Sequence, residues 1–138
     1  MITAMRRWLV CLSVAAAACV SNLPEQDLRI LVAQPSAKLS ASDLWKDFQT
    51  DAAKARATYF GKAIDVSDKL TAIETEASKG QHFFFGQAGE HGVRARLLDE
   101  RAAETLKDLK VGTRITIRCF CEGMDAKGDV VLKSCIKP

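Results

Sequence analysis

From residue 93 onward the chain alternates. Val93, Ala95 and Leu97 are apolar, and Arg94 and Arg96 sit between them; this period of two marks a strand with one buried face. Residues 113–121 repeat the pattern, with Ile115, Ile117, Cys119 and Cys121 on one side and Arg114, Thr116 and Arg118 on the other. Upstream, Ala63, Ile64, Val66, Leu70, Thr71, Ile73 and Thr75 predict one long, bent strand, and His82-Phe83-Phe84-Phe85-Gly86 a short aromatic one. Val130, Val131, Leu132 and Ile136 predict a last strand. Elsewhere the period changes. Leu44, Phe48, Ala52, Ala55 and Tyr59 recur at helical spacing behind the N-cap candidates Ser40, Ser42 and Asp43, which predicts an amphipathic helix over residues 42–57 ended with the help of Gly61. A short helix is expected over 102–109, with Leu106 and Leu109 inward, and turns over 78–81, 88–92 and 123–128.

The predicted order is a helix, then β-β-β-α-β-β. This is a mainly β (α+β) fold, and the order is that of a five-stranded OB-fold barrel with an N-terminal helix and a short helix between strands 3 and 4. Closure would give every strand a partner and limit exposed edges.

The N-terminus does not fit the barrel pattern. Arg6 and Arg7 precede an uncharged apolar run from Trp8 to Val20. A basic start followed by a short apolar run is the layout of a secretory signal, and the run is shorter than the roughly 20 residues of a bilayer-spanning helix. Ala16-Ala17-Ala18-Cys19 resembles a bacterial lipobox, with alanine where leucine is usual. Residues 1–18 are therefore expected to be a signal peptide and Cys19 a lipidated first mature residue. Ordinary cleavage among the alanines and an uncleaved anchor are the competing readings. Residues 19–41, with Pro24 and Pro35 and no sustained period, are expected to be a tether, and residues 42–138 the barrel domain.

Charge changes its meaning once the signal is set aside. The 138-residue chain has 20 Lys and Arg against 17 Asp and Glu. Without Arg6 and Arg7 the balance is 18 to 17, which does not describe a nucleic-acid binder by charge alone.

Several short stretches carry a family resemblance over residues 42–135. They are Tyr59-Phe60-Gly61-Lys62, Phe83-Phe84-Phe85-Gly86, the run from Leu106 to Gly112, Cys121-Glu122-Gly123, and the run from Val130 to Cys135. In order and spacing the chain resembles the tRNA_anti-like OB-fold family of small exported bacterial proteins. The resemblance implies an OB-type domain and assigns no enzymatic role to a residue here. Cys119 is an addition to the family's usual cysteine pair.

Export permits disulfides. Cys121 with Cys135 would close the last hairpin, and a loop of about 15 residues is worth up to roughly 3 kcal/mol. The alternation puts these two on opposite sides, so a bulge or a Cys119–Cys135 pair is the alternative. Metal is not expected, since a closed zinc site wants four ligands and His82 and His91 are not placed to join the thiols. No Cys-x-x-Cys at a helix start suggests thiol chemistry. Arg94, Arg96, Arg114 and Arg118 are a candidate binding face beside Phe83–Phe85, which is how OB-folds hold single strands. Asp65, Asp68, Asp99 and Glu100 dilute its charge. Glu90-His91 lies in a glycine-flanked turn with no partner nucleophile, and no phosphate or dinucleotide motif appears. No catalytic residue or cofactor is expected. The expected protein is an exported, lipid-anchored binding or structural module of the bacterial envelope, facing the periplasm. Its partner would be an envelope protein or ligand, held on a shallow face between turns 78–81 and 88–92. A single-stranded nucleic-acid or oligosaccharide-binding module and a small envelope enzyme are the alternatives.

Overall fold

A computed structural model describes residues 26–76 and 80–138. The signal segment and Cys19 lie outside the described residues. So do residues 77–79, which include the first half of the turn expected over 78–81.

Seven strands form one sheet, in the order β1-β2-β6-β7-β5-β4-β3. They are β1 (Ala37–Ser40), β2 (Ala63–Lys69), β3 (Ala72–Glu76), β4 (Gly80–Ala88), β5 (His91–Leu97), β6 (Arg114–Met124) and β7 (Val130–Ile136). Neighbours are antiparallel except β1 with β2 and β5 with β7. The sheet is open, which corrects the expectation of a closed five-stranded barrel, and it has two additional strands. The long strand expected over 63–75 is two strands, because Leu70 and Thr71 bond to different partners. Leu70 donates to the Thr113 carbonyl and accepts from Gly112, whereas Thr71 donates to the Phe84 carbonyl. The other additional strand, β1, comes from the stretch expected as tether.

That stretch is folded from residue 26 onward. A 3-10 turn, Leu28–Leu31, buries Ile30 completely. The Gln26 side chain donates to the Leu97 carbonyl and accepts from the Asp99 amide, and the Asp27 amide donates to Ser134 Oγ at 2.7 Å. These backbone groups find partners in the sheet rather than in water, so the segment is held by tertiary bonds that no local periodicity announces.

The single helix expected over 42–57 is two: α1 (Ala41–Thr50) and α2 (Ala52–Tyr59). Asp51 separates them with φ −153° and ψ 91°. Its carboxylate accepts from the Lys54 amide, so it caps α2 as Ser40 caps α1 through Asp43. A short polar side chain that competes for backbone N–H groups ends one helix and starts the next. A 3-10 turn (Asp99–Arg101) leads into α3 (Ala102–Leu106), shorter than the expected 102–109; Leu106 at its end and Leu109 beyond it are half-buried.

The alternation read from the sequence is the packing. Phe83, Phe85, Val93, Ala95, Leu97, Ile117 and Leu132 form one core with Leu44 and Phe48 of α1. A second cluster lies on the outer side of β2, β6 and β7, where Ile30 packs with Ala63, Leu98, Phe120 and Ile136. Where β4 meets β5 the backbones approach closely: a Cβ on Gly92 would stand 2.1 Å from the Phe85 carbonyl oxygen. Only glycine fits there.

The disulfide joins Cys119 and Cys135, not Cys121 and Cys135 as first expected. Ser134, at φ +55°, carries the reason. Arg118 pairs with Ile136 and Phe120 with Lys133, so Ser134 and Cys135 together oppose Cys119. This bulge turns Cys135 inward, its Cα 4.3 Å from that of Cys119. Cys121 stands opposite Leu132 and is a buried free thiol.

Candidate functional site

The period of two splits the aromatic run. Phe83 and Phe85 point into the core, and Phe84 is left half-buried on the outer face of β4. The register then sets its neighbours: Phe84 lies opposite Arg94 and Ala72, and His82 opposite Arg96 and Glu74. The Arg94 guanidinium stands 5.0 Å from the centre of the Phe84 ring, within cation–π range. Next to it, a shallow cavity of about 270 Å³ is lined by His82, Arg94, Arg96, Glu122, Val131, Leu132 and Lys133.

Carboxylates run through this face. Arg94 is paired with Glu74 and lies 3.8 Å from Asp129. Arg96 approaches Asp99 at 3.7 Å, and Lys133 approaches Glu122 at 2.9 Å. Asp129 is a buried anchor. It accepts from the Gly92 amide at 3.0 Å, with His91 Nδ1 at 3.6 Å, while its own amide donates to Asp125 Oδ1. Asp125 caps the β6–β7 turn, and Trp45 of α1 donates to Gly128 in the same turn. The helix, the turn and the face are thus tied together.

The four expected arginines do not share one face. Arg94 and Arg96 lie on β5, and β7 separates them from β6. Arg118 makes a two-bond contact with Asp65, at 2.7 and 3.1 Å, and donates to the Ala33 carbonyl. Asp65 beside it raises the Arg118 pKa, so this guanidinium fastens the N-terminal segment to the sheet. Arg114 is exposed and lines a different groove of about 770 Å³ with Phe83, Leu109, Ile115, Ile117, Glu104, Asp108, Lys107 and Lys137. That groove is the roomier, but its rim mixes signs and it lacks an exposed aromatic ring. The β4–β5 face has the ring, the donors and the rigid strands beneath them.

Glu90-His91 does not form an acid–base pair; the imidazole faces Asp129 instead. Sequence reasoning missed Glu74 and Asp129. Glu74 is 20 residues from its arginine, and only strand pairing reveals the contact. The signal available for Asp129 was its place in a turn directly before the apolar Val130.

A buried thiol and a half-buried phenol make the fold sensitive to alkali. Burial pushes the Cys121 thiol from 9.0 to about 11. Burial and the bond to Asp47 push the Tyr59 phenol from 10.0 to about 12. The folded state therefore holds these protons to higher pH than the unfolded chain does. Stability is fully present below about pH 9 and is expected to fall as pH rises towards 12. Urea midpoints measured across that range should fall, and the fall should shrink in Cys121→Ala and Tyr59→Phe. An identical slope in both variants would refute the assignment.

The comparisons with known proteins follow the same lines. The model of the tRNA_anti-like family matches residues 2–136. No curated protein matches the chain. Among solved structures, a "putative nucleic acid-binding lipoprotein" from Klebsiella pneumoniae superposes with a TM-score of 0.54 at 17% identity. The match covers 82% of this chain and 97% of that one. At this identity the likeness speaks for the fold.

Proposed function

Because the chain belongs to the tRNA_anti-like family, we propose that it is an exported, non-catalytic OB-type binding module whose ligand lies across the outer face of β4 and β5. The two-residue junction Leu70–Thr71, bonded to Thr113 on one side and Phe84 on the other, links β2 to the edge strand β3 and supports the OB-type reading. Cys19 is the lipid attachment point, and the domain works at the periplasmic face of the envelope. The lipoprotein description of the Klebsiella neighbour supports this location. No helix among the described residues is long and apolar enough to cross a membrane.

One observation carries the ligand class. The half-buried outer ring, Phe84, is accompanied by Arg94, which is itself held by Glu74 and Asp129. A phosphodiester backbone needs cations that can release counterions, and cations matched by carboxylates are poor at this. A polar chain near neutrality, such as an envelope glycan, can stack on the ring and share both donors and acceptors. The nucleic-acid reading is kept as the second because of the neighbour's description.

Two probes separate the readings. A chito-oligosaccharide and a single-stranded oligo(U) are titrated against the full chain at low and high salt. The expected result is salt-independent binding of the sugar, with oligo(U) retained weakly or not at all. Tight oligo(U) binding with a steep loss in salt would overturn the glycan reading in favour of nucleic acid.

A further inference from the structure

We infer that the first folded turn, Leu28 with Leu31 and Val32, is a membrane-contact surface that seats the domain on the bilayer; the inference rests on the proposed lipidation of Cys19. The chain from Cys19 to Gln26 can reach about 25 Å when fully extended. Gln26 is already fixed to the sheet through Leu97 and Asp99. A lipid anchor at Cys19 therefore holds this corner of the domain close to the lipid. A tether running to residue 41 would have left the domain free to swing.

The surface at that corner is apolar. Ile30 is locked into the second cluster with no exposure, and this fixes the direction of its neighbours. Leu28 is 51% exposed, Leu31 36% and Val32 82%. Among the described residues the exposed large hydrophobics are these three together with Phe60 and Val111. Three of five therefore fall within one turn, beside the point where the chain enters. Exposed apolar side chains grouped in this way mark a contact site, and the headgroup–acyl boundary accepts such groups.

The rim suits the same partner. Arg29 is 82% exposed, with its guanidinium 2.6 Å from Asp27. Next to Leu31 a groove of about 220 Å³ is lined by Arg101, Arg118, Lys137, Ile136 and Glu104. The three arginines are matched by Asp27, Glu104 and Asp65, so the rim is close to neutral and fits zwitterionic headgroups, while the apolar turn carries the contact.

The test uses the full chain, purified with its lipid and reconstituted into vesicles of phosphatidylethanolamine and phosphatidylglycerol. Mass spectrometry first establishes the acyl modification at Cys19. A nitroxide is then placed by Val32→Cys, and separately by Lys46→Cys on α1, in a Cys121→Ala background. Collision rates with oxygen, which concentrates in lipid, and with a water-soluble nickel chelate are compared. The expected ratio of oxygen to nickel collisions is several-fold higher at position 32 than at position 46. It should drop towards the position 46 value when Leu28→Asp and Leu31→Asp are added. Equal ratios in a protein that carries its lipid and floats with the vesicles would overturn the contact surface and leave the anchor standing. Absence of the lipid mass would overturn the anchor and the contact surface with it.

Discussion

Replacing Cys119 by alanine is expected to lower the stability of the oxidised protein by about 3 kcal/mol, the usual worth of a disulfide closing a loop of this length. The bond to Cys135 spans a sequence separation of 16. It ties β6 to β7 next to the bulge at Ser134, where the ladder is irregular and fewer backbone bonds hold the strands. Cys135→Ala should cost about as much, and the double variant little more, because either change alone removes the same bond. Cys121→Ala should cost about 1 kcal/mol, a small loss of buried volume, and should leave the disulfide intact. Urea denaturation of the four variants and the parent protein measures these differences. Peptide mapping without reduction should recover Cys119 linked to Cys135, with Cys121 alkylated only after unfolding. A Cys121–Cys135 peptide would contradict the assignment, and so would a Cys121→Ala loss as large as that of Cys119→Ala.

The disulfide also shows what a sequence carries and what it does not. Alternation on β6 placed Cys119 and Cys121 on one side correctly, because each strand's period is local. The partner depended on Ser134, a non-glycine residue in the left-handed region. Such residues are uncommon, and the letters Lys-Ser-Cys give no sign of one. The N-terminal segment was misread for a related reason. Two prolines and no period describe a linker, yet Ile30 alone, with Gln26, Asp27 and a parallel strand at Ala37–Ser40, fastens it to residues far along the chain. At the candidate face the aromatic strand and the alternating arginines were legible. Asp65 and Asp99 were legible as charges that dilute the arginines but not as their particular partners: Asp65 lies 53 residues from Arg118, and Glu74, which was missed, lies on a strand that looked continuous with its predecessor. What separated Arg94 and Arg96 from Arg118 was the strand order, which places β7 between them.

The three consecutive phenylalanines should respond in opposite ways to the same change. Phe83→Ala and Phe85→Ala each remove a ring with no exposure from the main core, and each is expected to cost about 3–5 kcal/mol. Losses of that size approach the whole stability of a domain this small, so both variants should be largely unfolded at 37 °C or unfold at much lower urea. Phe84→Ala removes a half-buried ring from the outer face. Its stability cost should stay near 1 kcal/mol, mainly the lost contact with the Arg94 guanidinium. Its effect should appear in binding instead. Chito-oligosaccharide affinity should fall at least tenfold in a protein whose circular dichroism and urea midpoint are close to the original. If all three variants were equally unstable, Phe84 would belong to the core and the face would lack its stacking ring. If Phe84→Ala stayed folded and bound sugar normally, the ligand would lie elsewhere, and the groove lined by Arg114, Leu109 and Lys137 would be the next surface to vary. The contrast within one tripeptide therefore tests the strand register and the ligand face together.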